Sequence, residues 1–302
     1  MSKLAFFFDG TGNGPKDDYP SNVYKLYNAF AKKLDVTPFY YEGPGASEFD
    51  VFVGKVAGSG IIDNIKRAYR DLAKNYEEST QIALFGFSRG AYTVHMFAWL
   101  LKKCGIPLDI TDCDTIVDRF VEHPEAPDIS LFDISLISQI DFIGVWDIVK
   151  SVIPDKDYMD GNLPDCVNKV FHAMAMDELR TKFPVMKWGE NEFTELHQIW
   201  FAGVHSDVGG GYARHGLSDI AYEWIQNAVI KSGFISDLIL PEDFKKIPNQ
   251  ALNNPFEEDP QWTALGRRSR QYNSGEEMHE SVYERHRLMP DYMPEVAGWY
   301  WA

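Results

Sequence analysis

The chain has 302 residues, with 45 Asp and Glu against 29 Lys and Arg, for a net charge of −16. That balance excludes nucleic acid as a main partner, because phosphate binding needs clustered Lys and Arg, and it disfavours unaided adsorption to an anionic membrane. Hydrophobic residues make up 45% and charged residues 25%, which excludes a disordered or fibrous chain. Aromatics, at 14%, fill a core and its rim or line an apolar cleft. Cys104, Cys113 and Cys166 have neither metal-ligand spacing nor the even count of a disulfide framework. The apolar run at 4–8 is too short for a signal-peptide core and no stretch is long enough to span a membrane, so synthesis and folding in the cytoplasm are expected.

In chain order, the run 4–8 predicts a first buried strand, followed by the turn Asp9-Gly10-Thr11-Gly12-Asn13-Gly14. Ile65, Ala68, Tyr69, Leu72 and Ala73 fall at three and four spacing and predict an amphipathic helix over 63–76. The run 82–85 predicts a second strand, and 89–103 an apolar helix closed by Gly105 and Pro107. Weaker strand patterns, with interior polar residues, cover 140–146 and 196–201. Between them Val167, Val170, Phe171, Met174 and Leu179 predict a helix over 165–183. Ser218 or Asp219 caps a last helix over 218–231, closed by Gly233. The polar stretch 240–275 is expected to loop over the surface. Strands alternating with helices imply right-handed crossovers and a three-layer α/β fold around a mostly parallel sheet. No composition break divides the chain, so one catalytic domain over 1–302 is expected, with 107–138 and 151–162 as insertions placed to form a lid. Leu131, Phe132, Tyr158 and Met159 would be the lid's apolar contacts.

The strongest chemical signal is Gly86-Phe87-Ser88-Arg89-Gly90, which stands between a predicted strand and a predicted helix, the setting of a nucleophile turn. Ser88 needs a tight turn to expose its hydroxyl, and Gly86 and Gly90 leave room for strand and helix to approach. The N–H of Arg89, opening the helix, is then aimed at a developing oxyanion, and the turn after the first strand offers a second donor from Gly10 or Thr11. A phosphate loop is the rival reading of that turn, disfavoured because the P-loop lysine is absent and the glycine spacing is not the dinucleotide fingerprint.

A serine nucleophile needs a base, and the base an orienting acid; in this architecture they follow in the order Ser, acid, His. Asp147, directly after the run 140–146, is the acid. His205 lies just past the run 196–201 and before Gly209-Gly210-Gly211, whose dihedral freedom lets the loop carry an imidazole back over the sheet edge. His172, placed mid-helix by the pattern, is the rival base. Asp9 and Asp207 are accessory carboxylates that cap turns or hold the site's loops, with hard-cation ligation as their other use. The chemistry as read needs no cofactor and no metal.

These blocks resemble, in order, those of the catalytic domain of type VI secretion phospholipase effectors. They are Phe8-Asp9-Gly10-Thr11-x-Asn13, Gly86-Phe87-Ser88-Arg89-Gly90-Ala91, Gly144-Val145-Trp146-Asp147, His172-Ala173-x-Ala175-x-Asp177-Glu178-x-Arg180, and Trp200-Phe201-x-Gly203-Val204-His205-x-Asp207-Val208-Gly209-Gly210-Gly211-Tyr212. His279-Glu280-Ser281-Val282 resembles the family's ending. The resemblance implies an α/β-hydrolase fold and a triad that maps onto Ser88, Asp147 and His205. It also implies phospholipid acyl esters as substrate, export by a signal-independent secretion system, and a delivery or immunity protein as partner. After Asp147 the chain reads Ile148-Val149-Lys150 where the family pattern has Thr-Val-Gly, and it is expected to be close to a bare catalytic domain.

The expectation is therefore a serine hydrolase of carboxylic esters, phospholipid acyl esters foremost. Its rivals are a cytosolic esterase of small soluble esters and a non-catalytic module that keeps the hydrolase fold and binds a partner through its acidic surface.

Overall fold

Strand β1 (Lys3–Phe8) explains how the molecule is layered. In the computed structural model, which describes residues 2–45, 59–137, 139–150 and 161–299, β1 turns Leu4, Phe6 and Phe8 into one core and Ala5 and Phe7 into another on the opposite face. Side chains alternate across a strand, so a continuous apolar run is stable only where both faces are covered. The elements follow as α1 (Asn22–Phe30), β2 (Thr37–Tyr41), α2 (Ser59–Asn75), β3 (Gln81–Phe87), α3 (Arg89–Cys104), β4 (Ile106–Pro107), α4 (Cys113–Glu122) and β5 (Ile134–Ser135). After them come β6 (Phe142–Trp146), β7 (Lys169–Ala175), β8 (Glu195–Phe201), α5 (His205–Gly209), α6 (Ser218–Lys231), α7 (Pro255–Glu258), β9 (Glu277–Met278) and α8 (Glu280–Leu288).

The main sheet has seven strands in the order β2-β1-β3-β6-β7-β8-β9, and each neighbouring pair runs parallel. Helices α2, α3 and α4 cover one face and α1 and α6 the other. This is the three-layer α/β-hydrolase-like architecture expected from the sequence, and it brings the carboxyl ends of β1, β3, β6, β7 and β8 to one edge, where ligands of parallel sheets gather.

Two expectations need correction. Residues 165–183 do not form a helix: β7 occupies Lys169–Ala175, paired with β6 on one side and β8 on the other. Its sequence is apolar at both helical and alternating spacing, and ladder bonds on both sides decide between them against the helix propensity of Ala and Met. The polar stretch 240–275 is also more than a surface loop, because Asn253, Phe256, Trp262 and Arg270 are buried in it.

The segment 107–137 contributes α4, whose Cys113, Ile116, Val117 and Phe120 belong to the core beneath α2 and α3. Phe132 packs against that core under the Arg119 guanidinium, 4.9 Å from the ring centre, whereas Leu131 is exposed. The segment 151–160, with Tyr158 and Met159, lies outside the described residues.

Candidate active site

Ser88 sits between β3 and α3 with φ 57° and ψ −122°, a backbone region that an L-residue enters only under constraint. The constraint is close packing. A Cβ on Gly90 would lie 2.1 Å from the Phe8 carbonyl oxygen, and one on Gly86 would lie 2.6 Å from the Gly90 carbonyl oxygen. The two glycines therefore let β1, β3 and α3 meet at the serine, as their spacing predicts. Ser88 is 3% exposed.

Asp147 follows β6, the strand beside β3, and is fully buried with φ 42°. Its Oδ1 accepts the Ala175 N–H at 2.8 Å. Its Oδ2 lies 2.5 Å from His205 Nδ1. Burial alone would push this carboxyl up, but the Arg270 charge and the His205 hydrogen bond outweigh it and hold Asp147 well below the usual carboxylate range. An ionised carboxylate only accepts, so His205 Nδ1 carries a proton, and in the neutral ring Nε2 is then the acceptor. His205 Nε2 is buried and has no hydrogen-bond partner among the described residues.

His205 opens α5, and its surroundings hold it from every side. The rings of Phe87 and Phe183 pack on the imidazole at centroid distances of 4.6 and 4.9 Å. The His205 N–H donates to Glu178 Oε2 at 3.2 Å. Burial would raise Glu178, but the Arg180 guanidinium, which forks onto it, keeps it low. Gly209 closes α5 where a Cβ would run into the Phe87 ring at 2.0 Å, so only glycine lets the helix lie this close to the nucleophile turn.

His172 is disposed differently. It lies on β7, not on a helix, and both ring nitrogens are occupied: Nε2 accepts the Ile148 N–H at 3.2 Å and Nδ1 faces Gln198 Oε1 at 3.3 Å. Burial pushes its pKa down to about 4, so it is a neutral prop for the backbone just after Asp147.

The carboxylates Asp9 and Asp207 are likewise spoken for. Asp9 accepts the Gly10 N–H at 2.7 Å, the Ser21 hydroxyl at 2.7 Å and the Tyr40 hydroxyl at 2.6 Å. Asp207 accepts the N–H groups of Val204 and Asn253 at 3.2 Å and the Asn253 amide at 2.5 Å. Burial raises both to about 6. With their oxygens turned to these donors they brace the β1 turn and the α5 loop. Among the described residues no group of three His, Cys, Asp or Glu is arranged to hold a metal ion, and no helix is long and apolar enough to cross a membrane.

Of the oxyanion donors read from the sequence, the Arg89 N–H heads α3. The Gly10 N–H is taken by Asp9, which leaves Thr11, whose Oγ1 is buried without a partner among the described residues. Thr11 also lines a cleft of about 320 Å³ together with Arg180, Ser206, Tyr212 and Trp262. Sequence reasoning missed Arg270, which grips Asp147, and the structural part of Asp177. The latter accepts the Gly203 N–H at 2.6 Å, the Tyr292 hydroxyl at 2.8 Å and the Glu295 N–H at 3.0 Å. The Asp177-Glu178-x-Arg180 block was the available signal for Asp177, whereas Arg270 has none locally.

Known proteins resemble this chain in sequence or in fold. A Saccharomyces cerevisiae protein described as uncharacterized protein YEL023C is 23% identical over 223 residues, which cover 60% of this chain and 32% of that protein. The crystal structure of an uncharacterized protein from Pseudomonas aeruginosa has the same fold, with 18% identity and a TM-score of 0.53 over 82% of this chain and 48% of that one. The Tle1 effector bound to the VgrG spike of the Type 6 secretion system has 17% identity and a TM-score of 0.45 over 70% of this chain and 51% of that one. The chain thus spans about a third of its yeast relative and about half of its bacterial one. The family model described as "T6SS, Phospholipase effector Tle1-like, catalytic domain" matches residues 2–126 and 132–228. With most of its length matched, the chain belongs to the Tle1-like phospholipase effector catalytic domain family.

Proposed function

We propose that the chain hydrolyses carboxylic esters, in the first place the acyl esters of phospholipids, through Ser88, Asp147 and His205. The observation that carries the reading is the buried Asp147–His205 pair at 2.5 Å, in which His205 Nε2 has no partner among the described residues and the imidazole packs on Phe87, the residue before Ser88 in its constrained turn. In this mechanism His205 Nε2 takes the Ser88 proton as Oγ bonds to the acyl carbon, and returns it to the leaving alcohol as the ester C–O bond breaks. Water repeats the sequence on the acyl-serine and frees the acid. Asp147 keeps the imidazole in the Nδ1–H tautomer and balances the charge that forms on it. The oxyanion is held by the Arg89 and Thr11 N–H groups, with the Thr11 hydroxyl as a further donor. The family description supports phospholipid as substrate, and extends the reading to a secretion partner that co-purification with spike proteins would detect.

The test is a fluorophosphonate probe together with a hydrolysis panel. Covalent labelling confined to Ser88, with release of fatty acid from phospholipid vesicles, is the expected result. Labelling with turnover of short soluble esters alone would replace the lipid substrate by a soluble one. No labelling, with full activity in Ser88→Ala, would overturn the mechanism.

A further inference from the structure

We propose that Arg270 is a positioning residue of the hydrolytic centre, a guanidinium fork that fixes the Asp147 carboxylate in the one orientation that presents Oδ2 to His205. The proposal rests on the Ser88–Asp147–His205 reading. Arg270 is 6% exposed, and each of its five N–H donors has an acceptor. Nη1 donates to Asp147 Oδ1 at 2.6 Å and to the Ala175 carbonyl at 2.7 Å. Nη2 donates to Asp147 Oδ2 at 2.9 Å and to the Phe183 carbonyl at 2.8 Å, and Nε donates to the same carbonyl at 3.1 Å.

The fork is thus tied to backbone at both ends of the loop that carries Asp177, Glu178 and Arg180. Rotating the Asp147 carboxylate would break both arms of the fork, the Ala175 bond and the His205 bond together. A buried ion pair of this kind is a poor source of stability, because desolvation offsets its attraction, and its better-attested use is to specify geometry. The other titratable and charged groups packed about the pair are already engaged. Glu178 holds the His205 N–H and is answered by Arg180, His172 holds the Ile148 N–H, and Asp207 on α5 is turned to Val204 and Asn253.

Position along the chain adds a second point. Ser88, Asp147 and His205 all fall within the family-matched residues, whereas Arg270 lies beyond them. The segment after residue 228 is therefore part of the centre and not a decoration on it.

Two variants separate geometry from charge. Arg270→Gln removes the charge, and Arg270→Lys keeps it without the fork. With p-nitrophenyl butyrate, and with circular dichroism and a thermal melt reporting folding, Arg270→Gln is expected to lower kcat roughly 10²-fold with KM held. The acid limb of its kcat/KM profile moves to higher pH, because the Asp147–His205 pair holds its proton more tightly once the opposing positive charge is gone. Arg270→Lys is expected to restore the acid limb and leave kcat low. A folded Arg270→Gln with unchanged kcat and acid limb would overturn the proposal; where that variant does not fold, a normal kcat in Arg270→Lys does the same. Ser88 labelling in the unaltered chain and inactivity of Ser88→Ala are scored alongside, so a failure of the arginine's role is distinguishable from a failure of the serine mechanism.

Discussion

The backbone of Ser88 brackets Asp147: its N–H donates to the Trp146 carbonyl at 3.0 Å and its carbonyl accepts the Val149 N–H at 3.5 Å. Among the described residues these two are also the only non-glycine positions with φ in the left-handed region. Each such conformation costs on the order of 1–3 kcal/mol and persists where the surroundings over-determine it. Ser88→Gly is therefore expected to abolish ester hydrolysis while raising stability by about 1 kcal/mol, because glycine adopts that φ freely. Ser88→Ala is expected to abolish hydrolysis without the gain. Urea denaturation beside an ester assay checks both.

The two candidate bases separate by what each imidazole touches. His205→Ala removes the ring whose Nε2 has no partner among the described residues and is expected to lower kcat by several orders of magnitude. His172→Ala leaves the Ile148 N–H without an acceptor and opens a cavity, so its expected effect is a loss of about 2 kcal/mol in stability, with much of the activity retained. Thermal melts paired with kinetics on one ester decide the assignment. Inactivity of a folded His172→Ala with His205→Ala tolerated would reverse it.

Thr11 tests the oxyanion site. Its buried hydroxyl has no partner among the described residues, which suits a donor reserved for charge that develops during reaction. Thr11→Val is expected to lower kcat about 10²-fold with little change in KM, and Thr11→Ser to keep most of the activity. Equal kcat in the valine variant would remove the hydroxyl from the mechanism.

Asp9 makes a prediction about pH. Its pKa is about 6 in the folded chain against an ordinary 3.8, because burial disfavours the charge. The folded state therefore binds this proton more tightly than the unfolded state. Its contribution to stability is full below 3.8 and is lost as pH rises through about 6, a change of about 3 kcal/mol. Asp9→Asn removes the charge while keeping an acceptor for the Gly10 N–H. It is expected to flatten the decline over that window, which denaturation midpoints measured across it report.

The parts of the site legible in the sequence are those written in contiguous residues. Gly86 to Gly90 carries its own strand, turn and helix context, Asp147 ends an apolar run, and His205 stands between a strand and three glycines. Strand β7 was misread because Val170, Phe171 and Met174 satisfy two periodicities at once, and neighbouring strands settle which one applies. Strand β2 drew no prediction: it is a five-residue edge strand interrupted by Pro38, with little period-2 signal. Arg270 was beyond reach for another reason. It follows Arg267 and Arg268, both exposed, and nothing local distinguishes the one whose partner lies 123 residues away.

That separation also sets an order of events in the cell. A ribosome adds roughly 5–20 residues per second and N-terminal parts fold first, so Ser88, Asp147 and His205 are all synthesised before the arginine that grips the acid. The nascent polypeptide can lay down β1, β2, β3, β6, β7 and β8 while Asp147 still lacks its counter-charge, with only β9 of the main sheet still to come. On the proposed mechanism, hydrolytic competence is thereby deferred to a late stage of biogenesis, after most of the scaffold that must contain it has been made.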